Sequence, residues 1–167
     1  MTTATETPSR AFALPVPDTN PAPPLVMRLA RDFGAAWVEE TTVAAWSAGG
    51  DDRVVLLAGD PVRFPEGQDV AAVLPELMKS FPNRFQIAVV PRDNEDAVAR
   101  RYGSQRWPTL LFFRDGQYVT AIAGMQDWDV YLSGVAAALA MPPSRAPTIG
   151  IPVVSKTGAA SSDSVCH

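Results

Sequence analysis

Apolar positions fall into two periods along this chain. Val54-Val55-Leu56-Leu57-Ala58, Gln86 to Val90 and Thr109 to Phe113 are short runs in which nearly every residue is apolar. Such runs suit strands covered on both faces, with Val54 to Ala58 as a central strand. Asp115-Gly116 tolerates positive φ at both positions, so it predicts a tight hairpin that returns as Tyr118 to Ala123. Between the strands the period changes to that of a helix. Leu25, Leu29 and Phe33 follow Pro24, which suits a first helical turn, and Gly34 is a stop. Val70, Val73, Leu74, Leu77, Met78 and Phe81 share one stripe, with Pro75 expected to kink it. Thr41 or Thr42 is positioned to cap a short helix through Trp46, and Asp93 to cap a helix ending near Tyr102 with Gly103 as its stop. Asp127 is positioned to cap a last helix built on Val130, Tyr131, Val135, Ala138 and Leu139. Ala36-Trp37-Val38 reads as an edge or neighbouring strand, and Asp60 to Gln68 as a loop. The order α-β-α-β-α-β-α-β-β-α, with right-handed crossovers, predicts an α/β fold: a central mixed sheet flanked by helices.

Composition narrows the function. The chain has 167 residues, 47% of them hydrophobic, and a net charge of −4, which fits one domain plus ends and argues against nucleic acid as a partner. No apolar run approaches a membrane span of roughly 20 residues, so no membrane insertion is expected. The start has neither a basic region nor a long apolar one, which makes the cytoplasm the default location. Prolines crowd residues 1–24 and 142–152. Residues 1–24 are accordingly expected to be a disordered tail, 25–140 the folded domain, and 141–167 a mobile C-terminal tail. Cys166 and His167 are the only residues of their types. No intrachain disulfide and no cysteine metal centre can form from them. Walker-type and Gly-x-Ser-x-Gly motifs are absent, and Asp51/Asp52 and Asp127/Asp129 sit at turns and caps. No cofactor is expected, and no catalytic residue.

Tyr102-Gly103, then Pro108-Thr109-Leu110-Leu111, Phe113 and Asp115-Gly116, resemble the second half of the thioredoxin fold. The resemblance implies a cis Trp107–Pro108 bond. It also implies a Cys-x-x-Cys pair ahead of the kinking proline. Counted back from Pro75, the two slots hold Gly67 and Val70, neither of which can form the thiolate that disulfide exchange requires. The chain is more narrowly similar to the HyaE/HupG hydrogenase maturation family. The residues that carry this are Val54 to Leu57, Asp60-Pro61, Pro65-Glu66, Phe81-Pro82, Gln86 to Val89, and Arg101-Tyr102-Gly103 followed by Arg106-Trp107-Pro108. That resemblance covers about residues 25–140. It implies a thioredoxin-like protein without the redox pair that serves the assembly of membrane-bound uptake nickel–iron hydrogenases. The implied partner is the hydrogenase small-subunit precursor with its twin-arginine signal peptide, with other maturation proteins as further candidates.

Two other readings stay open: an oxidoreductase acting through Cys166, and a structural subunit of a maturation complex without peptide selectivity. For the binding reading, the resemblance places an extended peptide beside Trp107 and Pro108, flanked by Gly124 and Met125. Asp60, Glu66 and Asp69 would form an acidic wall for the signal-peptide arginines, against which Arg63 works.

Overall fold

The computed structural model describes residues 22–148. Its elements are α1 (Pro24–Phe33), β1 (Ala36–Trp37), α2 (Val43–Ser47), β2 (Asp52–Leu57), α3 (Glu66–Ser80), β3 (Phe85–Val89), α4 (Arg92–Arg101), β4 (Thr109–Arg114), β5 (Gln117–Ala123) and α5 (Trp128–Ala140). Every expected element forms, in the expected order. The strands make one mixed sheet in the order β1-β3-β2-β4-β5. The β1–β3 and β2–β3 pairs are parallel, and β2–β4 and β4–β5 antiparallel.

The apolar residues of β2, β3 and β4 are buried on both faces of the sheet because successive side chains point to opposite faces. Val54, Leu56, Ile87, Val89, Leu110 and Phe112 join the core beneath α1, α3 and α5. Val55, Leu57, Ala88, Val90, Leu111 and Phe113 join the core beneath α2 and α4. At the hairpin, Asp115 and Gly116 take φ of 52° and 76°, as the Asp-Gly pair predicts. A bulge between Phe112 and Phe113 adds one residue to β5.

Several local expectations need correction. The α3 helix starts at Glu66, several residues before the apolar stripe begins. Pro65 occupies its N-cap, so the expected loop ends early. Pro75 does not interrupt α3, which runs through it to Ser80. Pro91 is the N-cap of α4, and Asp93 lies in the first turn. Thr42 does stand at the N-cap of α2, and Asp127 at that of α5, but neither side chain makes a capping bond. The Thr42 hydroxyl instead accepts from the Glu39 amide at 2.8 Å.

The folded body also runs past residue 140. The Ser144 amide donates to the Tyr118 carbonyl at 2.7 Å, and its hydroxyl to the Val119 carbonyl at 2.8 Å. This segment pairs with the outer edge of β5 at its start, at Tyr118 and Val119, where an edge strand would otherwise leave those carbonyls unpaired. Ala146 then packs against the α2/α4 core. The expected tails beyond these points, with Cys166 and His167, lie outside the described residues. Among the described residues no helix is long and apolar enough to cross a membrane.

Candidate functional site

The exit of β2 is the foundation of the site. Ala58 and Gly59 continue that strand and are buried. Their amides point at the carboxylate of Glu95 on α4, 2.7 Å from Ala58 and 3.1 Å from Gly59 at the nearer oxygens. Glu95 is only 2% exposed. Burial pushes its carboxyl up to about 7, against the pull of the two amides and of Arg92. Arg92 lies 3.3 Å from Glu95 and 3.8 Å from Asp96, and its guanidinium sits 5.9 Å from the centre of the Trp107 ring. Glu95 thus fixes the strand exit, and Arg92 links it to Trp107. Gly59 has φ of 81°, and a Cβ there would come within 3.0 Å of the Phe64 ring and 3.1 Å of Trp107. Glycine is required by both conformation and space.

The loop from Asp60 folds back on itself. The Asp60 carboxylate accepts from the amides of Val62 at 2.8 Å and Arg63 at 3.2 Å. Those two bonds hold its carboxyl below the usual carboxylate range. One Asp60 oxygen is therefore committed to its own loop. Val62 stands out at the tip, 89% exposed, and the Phe64 ring lies 6.2 Å from that of Trp107. Glu66 and Asp69 are exposed in the first turn of α3, where acidic residues complement the helix dipole. Neither carboxylate takes an ion pair or side-chain hydrogen bond among the described residues.

Trp107–Pro108 is cis. The buried Pro108 accepts from the Gly124 amide at 2.7 Å, and the Gly124 carbonyl accepts from the Tyr131 hydroxyl at 3.1 Å. Met125 follows, 42% exposed. The Arg106 carbonyl is satisfied by the Thr109 hydroxyl at 2.6 Å. In contrast, the backbone N–H and C=O of Trp107 take no partner among the described residues. Trp107, Pro108, Gly124 and Met125 are thereby brought together, with the β2 exit and Phe64 against the indole. Glu66 and Asp69 connect to this cluster through the helix they open, not through their carboxylates. Arg92, Phe64 and Glu95 are parts of the site that the sequence reading left out.

Comparison with known proteins bears on what such a site belongs to. The sequence model of the family described as Hydrogenase-1 expression protein HyaE matches residues 25–131. The chain belongs to the HyaE family. It is 52% identical over 163 residues to the hydrogenase expression/formation protein HoxO of Cupriavidus necator, covering 96% of this chain and 99% of that one. It is 40% identical over 123 residues to the hydrogenase expression/formation protein HupG of Bradyrhizobium diazoefficiens, covering 74% of this chain and 82% of that one. Among solved structures, a thioredoxin from Halobacterium salinarum NRC-1 superposes with a TM-score of 0.53 at 23% identity, over 65% of this chain and 94% of that one. The fold is thioredoxin-like.

In this HyaE family protein the two cysteine slots are closed by packing as well as by residue type. A Cβ on Gly67 would lie 2.0 Å from the Ala58 carbonyl oxygen, so the helix start and the strand exit meet with no room for a side chain. Val70 is 1% exposed, inside the core beneath α3. What the arrangement offers chemically is a peptide edge: unpaired backbone groups at Trp107, apolar surface around them, and charged groups on either side.

Proposed function

We propose that this protein is a non-catalytic accessory chaperone in the maturation of an uptake nickel–iron hydrogenase. It holds an extended segment of the small-subunit precursor, including the twin-arginine signal peptide, in the cytoplasm before export. The observation that carries this reading is the backbone of Trp107, whose N–H and C=O have no partner among the described residues. An extended chain laid against it gains main-chain hydrogen bonds, and side-chain contacts add selectivity. The names of its relatives, hydrogenase expression/formation proteins, support the pathway. The closed cysteine slots support a binding role over disulfide exchange.

Trp107, Pro108, Gly124 and Met125 form the apolar floor in this reading. Asp60, Glu66 and Asp69 form the wall that faces the signal-peptide arginines. Glu66 and Asp69 carry most of that role, because Asp60 is engaged by its own loop. Exposed ion pairs contribute about 0–1 kcal/mol each, so the wall tunes selectivity and on-rate while the groove supplies affinity.

The test is capture of the small-subunit precursor by the full chain, with the signal peptide present or removed, and by Trp107→Ala. Capture that depends on both the signal peptide and Trp107 is the expected result. Capture that ignores both favours a subunit role without peptide selectivity. Two further measurements address thiol chemistry. In an insulin-reduction assay, turnover no faster than the dithiol donor alone is expected. Hydrogenase maturation is expected to survive Cys166→Ala.

A further inference from the structure

The two flanks of the Trp107 backbone carry opposite charge. Residues 60–69 hold Asp60, Glu66 and Asp69 against Arg63 alone. Residues 96–108 hold Arg100, Arg101 and Arg106 against Asp96 alone, and Asp96 lies 3.8 Å from Arg92. On this second flank an open cleft is lined by Asp96, Ala99, Arg100, Ser104 and Trp107. Most nearby charges are already matched: Arg92 lies beside Glu95 and Asp96, and Arg101 beside Glu40. Arg100 and Arg106 enter no ion pair among the described residues. A helix C-terminus favours basic residues in its last turn, which accounts for Arg100 and Arg101 in α4. It does not account for Arg106, which lies beyond the helix. The Arg106 guanidinium reaches to 3.9 Å from where a Cβ on Gly124 would sit, so it stands on the Gly124 side of Pro108.

We infer that the cleft beside Trp107 receives a carboxylate side chain, Asp or Glu, from the client strand, with Arg100 as its partner in the cleft and Arg106 adding to the positive field. This rests on the reading that a client strand pairs with Trp107. Successive side chains of a strand point to opposite sides. A client residue directed toward α3 meets the acidic wall, and its neighbour directed toward α4 meets Arg100 in the cleft, where Asp96 is already beside Arg92. The preferred client segment therefore sets a basic residue next to an acidic one. The two flanks also fix register, because a slip of one residue brings like charges together.

The experiment uses the full chain and 12-residue peptides tiled along the hydrogenase small-subunit precursor, each made in its native form and with Asp and Glu replaced by Asn and Gln. The tightest peptides are expected to pair a basic with an acidic residue. Amide replacement should weaken them about five- to tenfold, in line with a charge-assisted Arg–carboxylate bond. The Arg100→Gln/Arg106→Gln protein should bind both forms alike. Equal binding of both forms by the unaltered protein, with exchange of the Trp107 amide slowed by each, overturns the carboxylate cleft and leaves strand pairing standing. Peptide binding that leaves hydrogen exchange of the Trp107 amide unchanged overturns the pairing and the cleft together, as does capture of the whole precursor when no peptide binds.

Discussion

Where β2 begins and β4 ends, Arg114 donates to Asp52 at 2.7 Å and to the Leu139 and Met141 carbonyls that close α5. Beside it the hairpin glycine, Gly116, donates to the Ser47 carbonyl of α2 at 3.1 Å. Where β2 ends and β4 begins, the Trp107 backbone, the Glu66 and Asp69 carboxylates and the Arg100 and Arg106 guanidiniums have no such partners among the described residues. The same sheet thus spends these polar groups on internal bonds at one end, where the buried Arg53 Nε is the exception, and leaves them open at the other. Glu95 and Gly67 brace the open end from behind, so that the unpaired groups sit on a fixed frame.

The largest expected effect is on that frame. Gly67→Ala puts a Cβ against the Ala58 carbonyl, and both partners are backbone. Overpacking of this kind costs about 3 kcal/mol, read by urea unfolding. Gly34→Ala is the control, since nothing lies within 4 Å of its Cβ and only left-handed strain is added, about 1–2 kcal/mol. Equal costs would show that the Gly67–Ala58 approach yields readily.

Glu95 predicts a pH dependence of similar size. Its carboxyl is raised from 4.5 to about 7 in the fold, so the native state holds a proton that the unfolded chain releases. The associated stability is full below pH 4.5 and lost as pH rises toward 7. At about 1.4 kcal/mol per pH unit, the advantage of the native protein over Glu95→Gln falls by on the order of 3 kcal/mol across that window. Unfolding measured at several pH values in both proteins checks this, and parallel curves would contradict it.

At the closed end, Arg114→Ala removes a half-buried ion pair and the partner of the α5 carbonyls. A loss of about 2 kcal/mol is expected, with client affinity unchanged. A change in affinity would show that the two ends are coupled. Smallest is the effect of Glu66→Lys/Asp69→Lys, about 0–1 kcal/mol of binding per charge, with a weaker salt dependence. If affinity and salt dependence both stay put, the acidic wall is misplaced.

The fold was legible because its signals were local. Val54 to Ala58 is apolar on every residue and Thr109 to Phe113 on all but the first, and Asp115-Gly116 has only one common use between two such runs. The frame of the site was less so. Pro65-Glu66-Gly67 reads as loop punctuation, yet it opens α3, and only the approach of Ala58 shows why position 67 has no side chain. Glu95 sits in the polar run Arg92-Asp93-Asn94-Glu95-Asp96, which hides its burial. Its spacing with Val98, Ala99 and Tyr102 is that of one helix face, and that was the available signal. Arg114 and Ser144 act on carbonyls distant in sequence, which no local pattern records.

The central claim is that a client strand pairs with Trp107, and the most direct test is the hydrogen exchange of the Trp107 amide, followed by NMR. In the free protein this N–H has no partner among the described residues and should exchange quickly. On saturation with the hydrogenase small-subunit precursor, a new main-chain bond should slow it by a factor of about 100, while the Ala58 and Gly59 amides, already bonded to Glu95, stay protected throughout. Saturating precursor that leaves Trp107 exchange unchanged would contradict the account.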